Sequence, residues 1–290
     1  MKKKNKKTKR KTFNPFPALI FLLVGLGLMI GFGNRVKDNN TKPVKKVSII
    51  KPFVLVPIES SIRVPILLYH YVEYVQDKKD TIRKSLTIPP HIFAKQVETL
   101  KNAGYTFMTM SQVAEVMDGK IKLPDNPIVL TFDDGYRDFY TDVFPILEKI
   151  EVKAVAYIVS DFIDKPNFMT TPQIMDIAKS GLVEIGAHTV HHAYLNGLPF
   201  DTAFFEINKS KENLENLLHT HIVSFAYPYG AVDNQAKEIV KNAGFKTGIA
   251  TKPGIEIDQS NRFEIRRLRI GQRIDDELLN FLKQTKFEEY

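Results

Sequence analysis

Two short polar segments carry side chains that could bind a metal ion and move a proton. Asp133 and Asp134 stand side by side before Gly135, and His188 is followed four residues later by His192. Two imidazoles and one carboxylate can bind Zn²⁺ or a similar ion and leave a position open for water or substrate. The other carboxylate can then take a proton from water, whose pKa such an ion lowers to roughly 7. Each segment alone also fits a turn or a solvated surface, but together they predict metal-assisted hydrolysis.

The elements that must position these side chains are short apolar runs, which we predict to be strands. The runs are 65–69, 128–132, 182–185 and 222–226, and within three residues they are followed by His70, Asp133, His188 and Tyr229. Amphipathic stretches typical of helices separate the runs, which favours parallel β-α units in a barrel or a doubly wound sheet. The carboxyl ends of parallel strands form the active site in such folds. We therefore expect the four polar segments to meet in one site.

A family resemblance rests on two of these segments, TFDDG at 131–135 and HTVHH at 188–192. They resemble the first two motifs of the polysaccharide deacetylases, the NodB-type domains of carbohydrate esterase family 4. The likeness extends over about residues 62–274 and implies an α/β fold, a distorted (β/α) barrel. It also implies that Asp133 is the general base and that Asp134, His188 and His192 bind a divalent ion. Zn²⁺ is the expected ion, with Co²⁺, Ni²⁺ or Mn²⁺ as alternatives.

The third family motif, Arg-x-Pro-aromatic, is only partly present. The corresponding residues are AYPY at 226–229, so Ala226 stands where the family has an arginine that braces the base. By the resemblance, the backbone N–H of Tyr229 helps to stabilise the oxyanion of the reaction. Another cation should brace Asp133, and Arg267 near the C-terminus is our candidate.

The general acid is the second departure from the family pattern. No Leu-x-His segment follows the third motif, and the last histidine of the chain is His221. His70 closes the first predicted strand of the domain, which is adjacent to the last strand in a closed barrel. This arrangement resembles the biofilm-type poly-N-acetylglucosamine deacetylases, so we predict His70 as the acid. The rival is His219 in LLH at 217–219, which ends a helix before the third motif.

These residues predict a hydrolase that removes N-acetyl groups from an extracellular amino-sugar polymer. Poly-N-acetylglucosamine, peptidoglycan and chitin-like glycans all present the same acetamide, so the sequence leaves the choice among them open. One alternative is an O-acetyl esterase on a cell-wall glycan, which would use the same metal and base. Another is an inactive glycan-binding protein on the same scaffold, which the missing arginine favours but the intact base and ligand set disfavour. A glycosidase would need carboxylates about 5–9.5 Å apart across a bond, which adjacent Asp133 and Asp134 do not suggest.

Charge and hydropathy at the N-terminus predict a membrane segment. Eight basic residues lie within the first eleven, and without them the chain has 33 basic and 33 acidic residues. A basic tail on a neutral domain is not the pattern of a nucleic-acid-binding protein, but it is typical of a segment kept on the cytoplasmic side of a membrane. Residues 13–33 carry no charge and are long enough to cross the bilayer.

Four regions follow from this pattern. We predict a cytoplasmic basic tail at 1–12, an uncleaved anchor or a cleaved signal segment at 13–33, an extracellular linker at 34–60 and the deacetylase domain at 61–290. The catalytic domain would then be extracellular and tethered to the cell membrane, or secreted if the segment is cleaved. The chain has no cysteine and hence no disulfide framework. The expected partners are the N-acetylated polysaccharide and the membrane, and the sequence implies no protein partner.

Overall fold

A computed structural model of the chain describes residues 60–77 and 79–284. The predicted basic tail, the predicted membrane segment and all of the predicted linker except Ser60 lie outside the described residues. None of the helices in these two ranges combines the length and the apolar character that crossing a membrane requires. The structure therefore bears on the predicted deacetylase domain alone.

Strands and helices alternate along the described residues, as the apolar runs predict. The strands are β1 (Ile62–Arg63), β2 (Ile66–Tyr69), β3 (Tyr71–Val72), β4 (Thr87–Ile88), β5 (Thr106–Phe107), β6 (Pro127–Phe132), β7 (Ala154–Ile158), β8 (Val183–Ala187), β9 (Ser224–Ala226), β10 (Thr247–Ile249) and β11 (Glu256–Ile257). The helices are α1 (Thr81–Leu86), α2 (Pro90–Asn102), α3 (Met110–Met117), α4 (Phe144–Ile150), α5 (Thr171–Lys179), α6 (Phe200–Leu218), α7 (Asn234–Asn242) and α8 (Asp275–Leu282).

The central sheet is parallel and curls into a barrel. Its strand order is β10-β9-β8-β7-β6-β2, and β5 pairs with the beginning of β6. The segment 265–268 joins the two ends, because Ile265 forms a parallel bridge with Ile249 of β10 and Leu268 forms one with Leu67 of β2. The backbone hydrogen bonds from Leu68 N to Leu268 O and from Ala250 N to Ile265 O measure 2.9 and 2.8 Å. The α/β fold and its curled parallel sheet match the predicted distorted barrel, and isolated bridges join the two ends of the sheet.

The strands are apolar on both faces because each face packs against a different layer. Inside the barrel, Ile66, Val129, Val155 and Ile249 belong to one buried cluster. The side chains that alternate with them pack beneath the surrounding helices in a second cluster, as parallel sheets require. Helix α2, for example, supplies an apolar stripe to that layer, formed by Phe93, Val97 and Leu100.

Some elements differ from the sequence prediction for local reasons. The amphipathic stretch after β6 begins as a π-helical turn, Phe139–Val143, before it continues as α4. The pairs β1–β11 and β3–β4 were not predicted, because two-residue strands are too short to show an alternating pattern. Neither difference changes the parallel barrel that positions the site.

Candidate active site

The alternation of side chains along a strand determines which of them enter the barrel. Val129 lies in the interior cluster, and Thr131 and Asp133 follow it at intervals of two. Ile66 has the same relation to His70 at the end of β2. Tyr69 pairs with Phe132, and Asp133 N donates to Tyr69 O at 3.0 Å, so His70 and Asp133 leave neighbouring strands together. The carboxyl ends of the strands thus form one site, as predicted.

The carboxylate of Asp133 is buried against the guanidinium of Arg267. Nη1 and Nη2 of Arg267 donate to the two carboxylate oxygens at 2.8 and 2.7 Å. Arg267 is 1% exposed, and its remaining donors bind Ala250 O at 2.8 Å and Thr131 Oγ1 at 3.1 Å. A buried ion pair needs such additional hydrogen bonds to offset the loss of water. The structure therefore places the predicted brace, Arg267, in two-point contact with the predicted base.

This pairing fixes the protonation state of Asp133. Burial by itself raises the pKa of the carboxyl, but the charges of Arg267 and His188 and the Arg267 hydrogen bonds outweigh it. The net result is that the pKa of Asp133 is lowered. Asp133 is thus ionised at neutral pH, which is the form that can accept a proton.

The other predicted ligands converge on one oxygen of the neighbouring carboxylate. Asp134 Oδ1 lies 3.2 Å from Nε2 of His188 and 3.1 Å from Nε2 of His192. Nitrogen and oxygen ligand atoms from the three residues all lie within 4.8 Å of one another. Despite the short distances, the angles leave this buried Oδ1 without a hydrogen-bond partner. The geometry thus gathers acceptor atoms around a point and supplies no proton between them.

The tautomer of His188 strengthens this description. Its Nδ1 lies 2.7 Å from the carbonyl oxygen of Ala226, which can only accept, so Nδ1 is the donor. In a neutral ring the lone pair is then on Nε2 and faces Asp134. Burial lowers the pKa of His188, while Asp134 and Asp133 raise it and prevail, since the site carries excess negative charge. A cluster of lone pairs with excess negative charge fits a divalent cation such as Zn²⁺.

The backbone at this site is strained where it carries function. Asp134, Thr189, His192 and Tyr229 all have positive φ angles, of 77°, 64°, 60° and 60°. Such a conformation costs a residue other than glycine about 1–3 kcal/mol and persists only where its surroundings hold it. The positive φ of Asp134 departs from the strand conformation directly after Asp133. The turn gives two adjacent carboxylates different partners, Arg267 for one and the histidines for the other.

Tyr229 contributes more than its backbone N–H to this site. Its hydroxyl lies 3.0 Å from Nδ1 of His192, and its ring centroid lies 4.5 Å from that of the imidazole. The side chain is 65% exposed, so it forms an outer wall beside the predicted ligand. This contact between Tyr229 and His192 was not predicted, because no spacing rule links a tyrosine to a histidine 37 residues earlier.

The structure separates the two candidate acids. His70 lies at the strand ends, where burial lowers its pKa while the charges of Asp133 and Asp134 raise it and those of Arg269 and Arg267 lower it. The net direction is a lowered pKa, which makes a protonated His70 a stronger acid. His219 caps the carboxyl end of α6 and is exposed. A helix that follows a strand begins at the site and ends at the far side of the barrel, so His219 is remote from Asp133.

A row of aromatic rings lies beside Asp134. We call Tyr71, Tyr136 and Phe168 the aromatic row, with ring centroids 4.0 Å apart for the first two and 5.0 Å for the last two. The guanidinium of Arg83 lies 4.3 Å from the Tyr71 centroid. Burial and the charge of Asp134 raise the pKa of Tyr136, so its hydroxyl stays protonated beside that carboxylate.

Comparisons with known proteins agree with this geometry. A family model described as polysaccharide deacetylase matches residues 120–248, which include both acidic and histidine segments. YxkH of Bacillus subtilis, named as a polysaccharide deacetylase, is 27% identical over 213 residues, or 73% of each chain. The poly-beta-1,6-N-acetyl-D-glucosamine N-deacetylase of Staphylococcus aureus strain MRSA252 is 23% identical over 265 residues, or 87% of this chain and 89% of that protein. The solved structure of the Streptococcus pyogenes deacetylase PplD in complex with acetate superposes on this chain with a TM-score of 0.71 and 26% sequence identity. The matched region covers 78% of this chain and 100% of PplD.

The barrel, the placement of the site at its strand ends and these similarities define a hydrolase of amide bonds in polysaccharides. The resemblance to the polysaccharide deacetylases that the segments at 131–135 and 188–192 predicted is thus confirmed, and the family model matches the part of the chain that carries both. The individual roles of Asp133, His70, Tyr229 and Arg267 stay predictions, and so do those of the three ligands. The structure brings these seven residues to one end of the barrel.

Replacing Arg267 by Met should destabilise the fold and abolish hydrolysis together. The change leaves the buried Asp133 carboxylate without its cation, and breaking a buried pair in this way typically costs about 3–5 kcal/mol. We expect that loss in the free energy of unfolding, measured with urea. Arg266→Met is the matched control, because Arg266 is exposed and next in sequence. An Arg267→Met protein as stable and active as the control would contradict the assignment.

Proposed function

We propose that this chain removes N-acetyl groups from an extracellular amino-sugar polymer of the poly-N-acetylglucosamine kind. The observation that carries the proposal is the contrast between two adjacent carboxylates. Asp133 is ionised against Arg267, and Asp134 meets His188 and His192. The Staphylococcus aureus relative, whose name gives poly-beta-1,6-N-acetyl-D-glucosamine as its substrate, supports this polymer over peptidoglycan or chitin-like glycans.

Asp134, His188 and His192 would hold the metal ion, with Zn²⁺ as the favoured species. When bound there, such an ion supplies a Lewis acid that polarises an acetamide carbonyl and lowers the pKa of water. The protein's part is to fix the ligands. Ala226 O orients the ring of His188, and the Tyr229 hydroxyl lies against the ring of His192.

The proton transfers are assigned to Asp133 and His70. Asp133 takes a proton from the water that attacks the carbonyl carbon, while Arg267 keeps the carboxylate oriented and ionised. The N–H of Tyr229 donates to the oxygen that becomes negative during the attack. His70 gives a proton to the nitrogen as the carbon–nitrogen bond breaks. The products are acetate and a free amine, and no covalent intermediate with the protein is required.

Aromatic rings beside the predicted ligands support a sugar polymer as the substrate. Tyr136 of the aromatic row lies beside Asp134, and Tyr229 lies beside His192. Tyr194 extends the second surface, with its ring centroid 6.1 Å from that of Tyr229 and an exposure of 55%. Aromatic faces bury the apolar faces of sugar rings without requiring a charge, so both surfaces could bind residues on either side of the acetamide.

The location of the enzyme is proposed from the sequence. The basic tail at 1–12 and the uncharged 13–33 support a single anchor in the cell membrane, with the catalytic domain outside the cell. A polymer at the cell surface would then reach the site without crossing the membrane.

The test of the function is acetate release by the full chain, purified in a mild detergent and supplied with Zn²⁺. We expect release from poly-N-acetylglucosamine to exceed release from peptidoglycan and from chitin oligomers. Chelator-treated enzyme and Asp134→Asn should release no acetate above background, because the first lacks the metal ion and the second lacks one of its carboxylate ligands. Release that does not depend on metal, or none from any of the three glycans, would refute the proposal.

Replacing His70 by Ala should separate amide from ester hydrolysis. An amine leaves only after it is protonated, whereas an alcohol leaving group needs this less, so kcat on the acetamide should fall by about 10²–10⁴. The O-acetyl ester of the same sugar should lose far less. His91→Ala is the control, since His91 is exposed near the start of α2. Equal losses on both substrates would remove His70 as the acid, and an unaltered enzyme with higher kcat/KM on esters would favour the esterase alternative.

Replacing Tyr194 by Ala should weaken binding of the polymer more than that of a single sugar. A stacking contact worth roughly 0.5–1.4 kcal/mol predicts a loss of about 2- to 10-fold in kcat/KM on long chains. The value for the N-acetylglucosamine monomer should change little. Tyr74 is 57% exposed and lies against His91, so Tyr74→Ala is the matched control. A loss that is the same for polymer and monomer would argue against a sugar contact at Tyr194.

A further inference from the structure

A buried carboxylate outside the described site lies under the loop that carries both histidine ligands. Glu206 is in the second turn of α6, and it is 5% exposed. Since α6 follows β8 and its loop, the helix begins at the active-site end of the barrel. Apolar side chains of the helix, among them Ala203 and Ile207, are buried near it. A carboxylate at such a position requires partners that justify its burial.

The partners of Glu206 all belong to the loop between the two ligands. Its Oε2 accepts the backbone N–H of Val190 at 3.0 Å and that of His191 at 2.9 Å. Its Oε1 lies 2.7 Å from Nδ1 of His191. An ionised carboxylate only accepts, so Nδ1 of His191 is the donor. One side chain therefore makes three contacts with two consecutive residues, placed between His188 and His192.

This loop needs an external anchor because its backbone is unusual. Thr189 and His192 both have left-handed backbone angles, and neither is glycine. The loop carbonyls of Thr189 and Val190 accept from Ser160 N at 3.1 Å and Asp161 N at 3.0 Å. Glu206 serves the opposite polarity, since it takes the amide protons. Without it, the buried Val190 N–H would lose its acceptor, and the middle of the loop could relax.

We infer that Glu206 is a positioning residue for metal binding. It fixes the spacing of His188 and His192 by clamping the backbone between them. The inference rests on the metal site of the proposed function and extends it to a helix residue that contacts no ligand atom. Outer partners that orient metal ligands typically change affinity by about 10–100-fold when they are removed. His191 is the side-chain part of the same clamp, although it stands outside the motif pattern in the sequence.

A purely structural role for Glu206 would predict a less stable fold with unchanged metal binding, whereas the inference predicts the opposite. The helix α6 spans 19 residues and is also held by Ile207 and Leu214, which are fully buried. Losing Glu206 should therefore leave the helix packed and the chain folded. The loss should instead be seen in the ligand loop, as weaker metal binding and an altered ligand geometry.

The experiment compares Glu206→Ala, Glu206→Gln and Glu212→Ala in the full chain in mild detergent. The readouts are the Zn²⁺ dissociation constant, from competition with a chromophoric chelator, the Tm of the metal-free protein and the visible spectrum with Co²⁺. We expect Glu206→Ala to bind Zn²⁺ about 10–100-fold more weakly and to shift the Co²⁺ bands. Glu206→Gln should stay within about threefold of the unaltered chain, because its amide oxygen can still accept both N–H groups. Glu212 is 59% exposed on the same helix, so Glu212→Ala should change nothing.

Three outcomes separate the possibilities. Zn²⁺ binding by Glu206→Ala as tight as that of Glu212→Ala, with only the Tm lowered, would overturn the inference and leave the proposed function intact. A loss in Glu206→Gln as large as in Glu206→Ala would also overturn it, because the clamp requires an acceptor and not a charge. If the unaltered chain binds no Zn²⁺, the metal site of the proposed function fails, and the inference fails with it.

Discussion

The pairing of Arg267 with Asp133 connects the end of the chain to the centre of the site. Arg267 lies in the segment that joins β10 to β2, and Asp133 follows β6. Its guanidinium also binds Ala250 O and Thr131 Oγ1, so one buried side chain contacts both sides of the ring. Because a buried charge cannot be left without its partner, closure of the barrel and ionisation of Asp133 depend on each other. The carboxylate of the predicted base is therefore also part of what holds the barrel together.

The pairing of Arg267 with Asp133 also explains why two adjacent carboxylates have different surroundings. Burial raises the pKa of both carboxyls, but their neighbours lower it by more: Arg267 and then His188 act on Asp133, whereas His188 and His192 act on Asp134. A cation fixed by the protein keeps the first in position to accept a proton. The second faces ring nitrogens and leaves an oxygen without a hydrogen-bond partner, an arrangement that fits a bound cation. The strained turn at Asp134 separates these environments within a single peptide unit.

Much of this site could be predicted from the pattern of the strands. An apolar run shows where a buried strand lies, and the residue after it shows where that strand ends. Apolar runs gave the strands, and the polar residues after them gave the positions of Asp133, His188 and His70. Arg267 could be proposed because a missing cation at Ala226 had to be replaced from elsewhere. The contacts of Glu206, of Tyr71 and of the Tyr229 side chain could not be predicted. They join residues 15 to 65 positions apart through loops whose paths no periodicity specifies.

Ala226, which stands where the third family motif has an arginine, contributes to the site through its backbone. Ala226 lies in β9 with its side chain in the interior cluster, and its carbonyl orients His188. The backbone of the position thus retains a role, although the side chain has lost its charge. β9 pairs with β10, and β10 is bridged to the segment that carries Arg267. The guanidinium therefore reaches the same interior from a segment that lies two places further along the ring than β9. The predicted base thus has a buried guanidinium at its carboxylate, and the segment that joins β10 to β2 supplies it in place of β9.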